Sequence, residues 1–362
     1  MILTLNAGSS SLKYAFFETP GLRRAGAGTI ERIGHGEHAE RLDEVFGALG
    51  GARPAAVGHR LVHGGERFTA ATRIDAGVLD ALRALAPLAP QHAPAELGLI
   101  EAVARRAPAL PQVACFDTAF HADLPAVARL LPIPRRYAAR GVRRYGFHGL
   151  SYAFLRDELA RLDSAAARGR VVLAHLGNGC SLAALRDGRC LDTTMAFTPA
   201  AGLVMGTRSG DLDPGLAAHL ARLDGLDAAG FDHLVNAESG LLGLSETCAD
   251  VRDLLAAEAA DPRAAEALAV FCLSARKHIA AMAASLEGLD TLVFAAGIGE
   301  HAAPIRERVC GGLSHLGVRL DTARNAAAAP VISVDGSTVT VRIIPTDEER
   351  QIARETMTVL GS

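Results

Sequence analysis

The sequence contains no tryptophan, and only two of its 37 basic residues, Lys13 and Lys277, are lysines. Acidic residues number 40, so the formal net charge is only −3 at pH 7. Proteins that bind nucleic acid or an anionic surface through charge carry clustered basic residues. No basic run with interleaved aromatic residues occurs here, so we expect neither nucleic acid nor a membrane as a partner.

Cysteine is also sparse, and no two cysteines form a CxxC pair: the six lie at positions 115, 180, 190, 248, 272 and 310. Disulfide frameworks and zinc sites need paired or regularly spaced cysteines, so the pattern favours reduced thiols. The N-terminal stretch MILTLNAG is apolar for only five residues and does not resemble a signal peptide. No uncharged apolar run approaches the ~20 residues that span a membrane. We therefore expect a cytoplasmic protein.

Apolar residues, in contrast, are abundant. They make up 49% of the 362 residues, and a chain of this length allows two domains of roughly 150 residues each. Short apolar stretches alternate with helical ones, which is typical of an α/β fold. We predict strands at 2–6, 13–18, 55–61, 112–117, 171–176, 181–186, 291–295 and 338–344. We predict helices at 76–86, 94–107, 151–161, 214–221, 264–286, 303–315 and 347–360, with Thr346 as the N-cap of the last one.

Two stretches of the chain are alike. LTLNAGSSSLKYAFFE (3–18) and VVLAHLGNGCSLAALRDGRC (171–190) each contain a strand, a turn of small residues and a second strand. Unrelated Gly/Ser hairpins would show the same pattern, so a chance likeness and a duplicated domain both stay open. A third glycine turn, FAAGIGEH (294–301), follows a strand and precedes a helix. Backbone amides in such turns bind anions, so the three turns predict a phosphorylated ligand between two domains.

Four further motifs carry groups suited to phosphoryl transfer. GHRLVHGGE (58–66) contains Arg60, FDTAFH (116–121) contains Asp117, RRYGFHG (143–149) contains His148, and MGTRSGDLDP (205–214) contains Arg208. Taken singly, such an arginine is more often part of a surface ion pair, and a lone histidine is more often structural. Taken together, they match a reaction whose catalysis is mostly positioning and charge neutralisation.

The motifs together resemble a known family. NAGSSSLK, HRLVHGG, FDTAFH, YGFHG, HLGNG, MGTRSGDLDP, GIGE and PTDEE occur in the order found in the acetate kinases, the acetokinase family of short-chain carboxylate kinases within the sugar kinase/Hsp70/actin superfamily. The likeness spans residues 6–350. It implies an α/β fold of two duplicated domains of the actin-like, ribonuclease H-like type, with a nucleotide cleft between them.

The resemblance also implies an activity and a domain division. The activity is reversible phosphoryl transfer from ATP to the carboxyl group of acetate, giving acetyl phosphate and ADP by direct in-line transfer, with Mg²⁺ or alternatively Mn²⁺ as the metal. Residues 1–149 would form the acyl-substrate and phosphate domain, with a helix near 348–362 packing back on it. Residues 150–347 would form the nucleotide-binding domain and the interface of a homodimer.

Each matching residue takes a role from the resemblance. The implied catalytic residues are Asp117, His148 and Arg208. The implied acyl-substrate residues are Arg60, Val62, Phe147 and Pro199, and the implied metal residues are Asn6 and Glu348. The implied ATP-binding residues are Ser9, Ser11, Lys13, His175, Leu176, Gly177, Asn178, Gly179, Asp250, Val251, Arg252, Gly297, Ile298, Gly299, Glu300 and His301.

One role is refined by the chemistry of the substrate. The pKa of a carboxylic acid substrate lies near the ~4 of Asp and Glu side chains, so it is already ionised at pH 7. It needs no general base to attack phosphorus. We therefore predict that Asp117 orients the metal or its waters and does not accept a proton.

The sequence departs from the usual family motifs in four places. Gln91 and Ala93 replace a leucine and an asparagine beside the acyl methyl group, Val251 replaces a phenylalanine, and His301 replaces an asparagine. A buried glutamine would be costly unless it is hydrogen-bonded. The preference for acetate or propionate therefore stays open, as does the choice of nucleotide.

A rival function comes from another class of protein. An Hsp70-type or actin-type module would use ATP to switch conformation without an acyl substrate. Arg60, His148 and Arg208 argue against it, because a pure switch has no need of two arginines and a histidine around a second ligand.

Overall fold

The computed structural model describes residues 1–8, 11–34 and 37–361. These residues fall into two compact units. The first comprises Met1–Ala122, Phe147–Phe154 and the chain from Asp347 onward, and the second comprises Asp123–Gly146 and Leu155–Thr346. Each unit contains its own mixed β-sheet.

The strands and helices follow one another in α/β fashion. The strands are β1 (Ile2–Ala7), β2 (Ser11–Glu18), β3 (Arg23–Glu31), β4 (Ala56–Leu61), β5 (Thr72–Arg73), β6 (Gln112–Phe116), β7 (Arg170–Leu176), β8 (Cys180–Arg186), β9 (Arg189–Thr193), β10 (Thr291–Ala295) and β11 (Thr340–Ile343). The α-helices are α1 (Leu42–Gly47), α2 (Ala76–Leu85), α3 (Ala93–Arg106), α4 (Ala126–Arg129), α5 (Arg135–Ala138), α6 (Gly149–Leu162), α7 (Gly215–Asp224), α8 (Ala228–His233), α9 (Gly240–Ser245), α10 (Val251–Ala257), α11 (Pro262–Ser285), α12 (Ala296–His301), α13 (Ala303–Cys310), α14 (Thr322–Ala326) and α15 (Glu348–Leu360). A π-helical turn lies at Leu234–Glu238.

The sheet of the first unit has the strand order β3-β2-β1-β4-β6-β5. Every residue of β1 is buried, as expected for a central strand covered on both faces. Because side chains alternate along a strand, Leu3 and Leu5 pack with Leu99 of α3, whereas Ile2 packs with Ala353 of α15. Helix α15 thus covers one face of this sheet, against β1, β4 and β6.

The sheet of the second unit has the strand order β11-β10-β7-β8-β9. Read from its other edge, this order is β9-β8-β7-β10-β11. It matches β3-β2-β1-β4-β6 of the first sheet, strand by strand. The pairing directions also match: β1 and β7 each pair antiparallel with the next strand of the chain and parallel with a later one. Both sheets also carry a register irregularity, at Phe16/Phe17 and at Ala184/Leu185. The duplicated-domain interpretation is therefore confirmed, and a chance likeness of two hairpins does not account for the shared topology.

Helix α11 is the longest helix of the described residues. Asp261 caps its N-terminus by accepting a hydrogen bond from Arg263 N–H, and Pro262 occupies its first turn. Among the described helices, it alone is long and apolar enough to cross a membrane. An 18-residue stretch of it has a mean hydropathy of 1.3, but 44% of that stretch is buried inside the protein. It packs on β7, β8 and β9 of its own unit. Val270 and Leu273 stay 41% and 46% exposed on its outer face.

Several predicted element boundaries were wrong. The helix predicted at 303–315 ends at Cys310, where two glycines follow and helix propensity is lowest apart from proline. The N-cap of the last helix is Asp347, whose side chain accepts from the Arg350 N–H, and not Thr346. The edge strands β3, β5 and β9 were not predicted. In β3, polar and small residues (RRAGAGTIE) leave no apolar alternation to detect.

Candidate active site

Arg60 and Asp117 lie at the ends of two neighbouring parallel strands. β4 and β6 pair so that Arg60 stands opposite Cys115, and Asp117 follows directly after β6. Arg60 Nη2 donates to Asp117 Oδ2 at 2.7 Å, and Arg60 Nε donates to the same oxygen at 3.1 Å. The two side chains are 14% and 1% exposed. The sheet therefore holds a buried ion pair at its carboxyl edge, where α/β proteins place ligand groups.

Residues from both ends of the chain complete this cluster. Arg60 Nη1 donates to Asn6 Oδ1 of β1 at 3.2 Å. Asn6 Nδ2 in turn donates to Glu348 Oε2 at 3.0 Å and to Glu349 Oε1 at 3.3 Å, in the first turn of α15. The structure thus brings together the predicted catalytic residue Asp117, the predicted acyl-substrate residue Arg60 and the two predicted metal residues, Asn6 and Glu348.

Burial and charge act in opposite directions on the ion pair. Burial works against the charge of Arg60, but the carboxylates of Asp117, Glu348 and Glu96 outweigh it and raise the pKa of the guanidinium. Burial also raises the pKa of the Asp117 carboxyl, and the Arg60 guanidinium opposes that rise. Asp117 Oδ1 is buried and has no hydrogen-bond partner among the described residues.

The donor atoms here suit magnesium, although they form no closed cage. Over residues 1–8, 11–34 and 37–361, no group of three or more His, Cys, Asp or Glu side chains is arranged to hold a metal. Mg²⁺ needs fewer protein ligands, because it keeps several waters and binds one or two carboxylates together with substrate phosphates. Asp117 Oδ1 is a buried carboxylate oxygen of the kind that Mg²⁺ prefers. The residues present therefore fit this cation in combination with a phosphorylated substrate.

Val62 and Phe147 are buried apolar residues near the ion pair in sequence: Val62 lies two residues after Arg60, and Phe147 lies two residues before Gly149, whose N–H donates to the Asp117 carbonyl. They are 3% and 1% exposed. His121 Nε2 donates to the Phe147 carbonyl at 3.0 Å, and the His63 ring packs edge-on to the Phe147 ring with centroids 5.7 Å apart. The motifs HRLVHGG, FDTAFH and YGFHG, which are separated in sequence, therefore meet at one place in the first unit.

His148 occupies a backbone conformation that is uncommon for residues other than glycine. Its φ is +59°, in the left-handed region. The next residue, Gly149, donates its N–H to the Asp117 carbonyl at 2.9 Å. A Cβ atom at Gly149 would lie 2.1 Å from that carbonyl oxygen, so only glycine permits this approach. The turn therefore fixes His148 against the strand end that carries Asp117.

Glu96 is a buried acid of this site that the motif analysis missed. It lies in the first turn of α3, and its Oε1 accepts from the Val62 N–H at 3.0 Å. Burial raises its pKa to about 8, against the lowering effect of Arg60. A signal was present in the sequence, because Glu96 shares a helix face with the buried Leu99, Ile100 and Val103. An acid at a core position of an amphipathic helix is unusual and needs a partner.

The turn between β1 and β2 is held from inside the first unit. Gly8 N–H donates to the Ser11 carbonyl at 2.8 Å, and the buried His38 donates from Nε2 to the Gly8 carbonyl at 3.0 Å. Lys13, opposite Asn6 in the hairpin, is exposed. Ser9, predicted to contact phosphate, lies outside the described residues. No motif in the sequence connects His38 to this turn.

The equivalent turn of the second unit lies between His175 and Ser181, which are paired across the hairpin. Gly177 N–H donates to the Gly179 carbonyl at 3.1 Å, and Gly206 N–H donates to the Asn178 carbonyl at 3.0 Å. The turn is therefore joined to the loop that carries Arg208.

A cavity of about 510 Å³ opens beside this turn within the second unit. Its volume is in the range of small-molecule and cofactor sites. Its lining includes eight residues predicted to bind ATP: Gly177, Asn178, Asp250, Val251, Arg252, Gly297, Ile298 and His301. Its lining also includes four residues that the sequence analysis did not single out: Ala249, Leu255, Ala302 and Pro304. His175, Leu176, Gly179, Gly299 and Glu300 were predicted to bind ATP but are not part of this lining.

The GIGE segment is a short helix, not the predicted turn before a helix. Gly297–His301 belong to α12. Glu300 Oε1 accepts hydrogen bonds from the Ala296 N–H at 2.7 Å and from the Thr346 N–H at 3.1 Å. This carboxylate oxygen is therefore bound to the backbone of its own unit. The fully buried Arg306 donates from Nη1 to the Gly299 and Glu300 carbonyls at 2.9 Å. These contacts fix α12 as one wall of the cavity.

Asp250 and Arg252 lie at the start of α10, on another wall. Asp250 Oδ1 accepts from the Arg252 N–H at 2.8 Å as the N-cap, and its Oδ2 accepts from Arg252 Nη2 at 2.6 Å. The Arg252 hydrogen bond is the main cause that lowers the pKa of Asp250. The Arg252 side chain is 88% exposed and His301 is 79% exposed, so both present charge or polarity at the rim.

The loop that carries Arg208 is closed at its base and anchored to α11. Gly202 N–H donates to Asp211 Oδ1 at 2.8 Å, and Asp211 N–H donates to the Gly202 carbonyl at 3.0 Å. From α11, Ser274 Oγ accepts from the Val204 N–H at 3.1 Å, and His278 Nε2 lies 3.4 Å from Asp211 Oδ2. The loop is therefore fixed at both ends.

The tip of the same loop is tightly packed. Gly240, with a φ of +63°, begins α9 against it, and a Cβ there would lie 2.3 Å from the Met205 carbonyl oxygen. Arg208 Nη1 approaches the Pro199 carbonyl at 3.4 Å, so two further predicted site residues are neighbours. The guanidinium is thus presented from a loop with little freedom to move.

Comparison with known proteins shows the family. A family model described as the Acetokinase family matches residues 51–354. The acetate kinase of Micrococcus luteus is 45% identical, with 98% of each chain covered. Two solved structures are similar over 98–99% of each chain: an acetate kinase of Porphyromonas gingivalis, at 36% identity and a TM-score of 0.91, and a propionate kinase of Francisella tularensis, at 34% identity and a TM-score of 0.90. The chain belongs to the acetokinase family.

Proposed function

We propose that this protein is a phosphotransferase with a carboxyl acceptor, which transfers the γ-phosphoryl group of ATP reversibly to acetate and forms acetyl phosphate and ADP. The observation that carries the proposal is the buried Arg60–Asp117 ion pair, with the buried Val62 two residues after Arg60 and the buried Phe147 in the segment whose Gly149 N–H donates to the Asp117 carbonyl. The positive charge of Arg60 near buried apolar side chains suits a short-chain carboxylate, which has one charged and one apolar end.

In this proposal, Arg60 binds the acetate carboxylate, and Val62, Phe147 and Pro199 enclose its methyl group. Acetate is ionised near neutral pH, so its oxygen attacks phosphorus without a general base. Asp117 keeps Oδ2 on Arg60 and leaves Oδ1 for a metal ion or its water. The site therefore works by positioning and charge, as phosphoryl transfer requires.

The proposed metal site joins Asp117 with Asn6 and Glu348. Mg²⁺, or alternatively Mn²⁺, would neutralise charge on the phosphates when bound. The Asn6 amide is neutral and is already hydrogen-bonded to Glu348, so it would orient a metal-bound water while the two carboxylates supply charge.

The proposed ATP site lies in the cavity bounded by α10 and α12, with the turn at His175–Gly179 towards the phosphates. Ser9, Ser11 and Lys13 would contact the phosphates from the first hairpin. His148 and Arg208 would donate to the equatorial oxygens as charge develops in the transition state. Burial of Val251 on the cavity wall suits contact with the base.

The proposed domain roles follow from these sites. Residues 1–149, together with the C-terminal helix, would hold the acyl substrate, and residues 150–347 would hold the nucleotide and the interface of a homodimer. Cytoplasmic location agrees with six free thiols, five of them buried. Two exposed apolar residues of α11, Val270 and Leu273, suit a face covered by a second copy.

Propionate is the second candidate substrate. The similarity to the Francisella propionate kinase favours keeping it. Gln91 is exposed, so it carries no burial penalty and does not by itself exclude either acyl group. An ATP-driven switch of the Hsp70 or actin type is the alternative of another class.

The test is trapping of the acyl phosphate with hydroxylamine. Purified protein with ATP and Mg²⁺ is given acetate, propionate or butyrate, and the hydroxamate is measured. We expect hydroxamate from acetate, less from propionate and least from butyrate. A higher turnover with propionate would move the assignment to the second candidate, and ATP hydrolysis independent of any carboxylate would support the conformational switch.

A further inference from the structure

Arg60 faces more negative charge than it can neutralise. Asp117 is ion-paired to it, and the carboxyl groups of Glu348 and Glu96 also act on it. One guanidinium carries a single positive charge, whereas these three groups carry three negative charges when all are ionised. The Mg²⁺ proposed beside Asp117 and Glu348 does not remove this excess, because it binds together with ATP, whose phosphates carry more negative charge than the metal neutralises. A carboxylate substrate bound at Arg60 would add a fourth negative charge to a largely buried site, where repulsion between like charges is weakly screened.

Glu96 is the member of this group that can become neutral with least disruption. Asp117 is locked to Arg60 by two hydrogen bonds to one oxygen. Glu96 instead uses Oε1 to accept from the Val62 N–H, and a protonated carboxyl can still accept there through its carbonyl oxygen. It is 4% exposed, so an ionised Glu96 would have few contacts with water.

The surroundings of Glu96 favour the neutral form. From β4 and the residues after it come Arg60 and the Val62 N–H, and from the end of β6 comes Asp117. His63 lies on the same small cavity, whose other walls include Leu61 and Leu97. Among the charged groups of the described residues that act on Glu96, only Arg60 favours its ionised form. The Val62 N–H adds to this effect, but burial outweighs both, with a resulting pKa of about 8.

We propose that Glu96 is a positioning residue that couples carboxylate binding to proton uptake: the substrate carboxylate binds at Arg60 when Glu96 carries a proton taken from solvent. This rests on the proposed role of Arg60 in binding the acyl substrate. Protonated Glu96 keeps its hydrogen bond to Val62 while removing one negative charge from beside the binding arginine. Binding of a carboxylate and ionisation of Glu96 therefore oppose one another.

The test compares the Michaelis constant for acetate at pH 6.5 to 9.5 in the wild type and in Glu96→Gln, with saturating MgATP. In the wild type, we expect the KM for acetate to be level below pH about 8 and then to rise, approaching tenfold per pH unit, while kcat and the KM for MgATP change far less. In Glu96→Gln, which keeps the Val62 hydrogen bond and is neutral at every pH, the KM should stay level. Glu101→Gln, on the same helix but paired with Arg83 at the surface, is the matched control and should follow the wild type.

Stabilisation of the wild type by acetate gives a readout that does not depend on turnover. The rise in Tm with acetate should shrink above pH 8 in the wild type and in Glu101→Gln, but not in Glu96→Gln. If the KM for acetate and the Tm shift of the wild type both stay constant from pH 6.5 to 9.5, the proposal is overturned. This outcome holds even if Glu96→Gln does not fold. Retention of the pH dependence in a folded Glu96→Gln would overturn it as well. Absence of acetyl hydroxamate from the wild type at pH 7, with the Tm shift intact, would instead reject the kinase activity and leave the Tm comparison to decide the role of Glu96.

Discussion

Arg60 Nη2 and Asp117 Oδ2 lie 2.7 Å apart in an ion pair whose acidic partner is 1% exposed. The pair joins the ends of β4 and β6 and leaves Asp117 Oδ1 without a hydrogen-bond partner among the described residues. A buried pair of this kind contributes little net stability by its presence, but its disruption leaves an uncompensated charge. Its geometry therefore points to function, and stability depends on keeping both partners.

Arg60→Gln tests both consequences. Loss of the guanidinium leaves Asp117 buried and unpaired, and we expect a decrease of about 3–5 kcal/mol in the free energy of unfolding. In the fraction of Arg60→Gln that folds, the KM for acetate should rise strongly. Urea denaturation and steady-state kinetics measure the two effects. Arg83→Gln, which removes an exposed arginine paired with Glu101, is the control and should change neither quantity appreciably.

Asp117→Asn tests whether this residue acts through the metal. The substitution keeps the size of the side chain but removes the negative charge that would attract a cation. We expect turnover to fall and the Mg²⁺ concentration for half-maximal activity to rise. An unchanged Mg²⁺ requirement, with a steeper dependence of turnover on pH, would favour proton transfer by Asp117 instead.

Arg208→Ala tests the proposed stabilisation of the transition state. A preorganised donor of this kind is worth about 3 kcal/mol, so kcat should fall by roughly two or more orders of magnitude, with a smaller change in the KM for ATP. Arg222→Ala, on the exposed side of α7, is the matched control. A rise in KM alone, with kcat preserved, would mean that Arg208 serves ground-state binding.

The contact between His278 and Asp211 predicts a pH-dependent contribution to stability. Burial works against protonation of His278, but the Asp211 carboxylate and the Ser274 carbonyl outweigh it, with Lys277 opposing, and its pKa is raised. The pKa of Asp211 is correspondingly lowered, chiefly by its hydrogen bond with His278. Because the folded protein holds the proton more tightly, this stabilisation is complete below the ordinary histidine pKa of about 6.5 and is lost as pH rises through the raised value.

His278→Gln removes this contribution, so the variant should lose more Tm relative to the wild type at pH 6 than at pH 9. Thermal unfolding followed by circular dichroism at the two pH values measures the difference. The same loss at both pH values would show that His278 acts by packing alone.

Much of the architecture could be predicted from the sequence because it depends on local patterns. Apolar runs such as ILTLNA identified central strands, and the two Gly/Ser hairpins indicated the duplication that the matching sheet topologies confirm. Family motifs pointed to Arg60 and Asp117, which meet because parallel strands end at the same edge of the sheet.

The remainder depends on contacts between residues far apart in the chain. Glu96 and Val62 are 34 residues apart in the chain. No local sequence pattern shows that the Glu96 carboxyl accepts a hydrogen bond from the Val62 N–H. The glycines of the GIGE segment predict a turn because glycine disfavours helices, yet Glu300 and Arg306 hold the segment helical through hydrogen bonds to its backbone. The last helix begins at Glu348 because the Asp347 side chain caps it, although the neighbouring Thr346 is also a suitable capping residue.

The most direct measurement of the central claim is the reverse reaction. Purified protein is mixed with acetyl phosphate, MgADP and no other phosphoryl donor, and ATP is followed by luciferase luminescence, with the Arg208→Ala variant alongside. We predict rapid ATP formation that requires both acetyl phosphate and ADP and that falls by about two orders of magnitude in the variant. ATP formation that is absent, or equal in the two proteins, would contradict the assignment of this site to phosphoryl transfer between a nucleotide and a carboxylate.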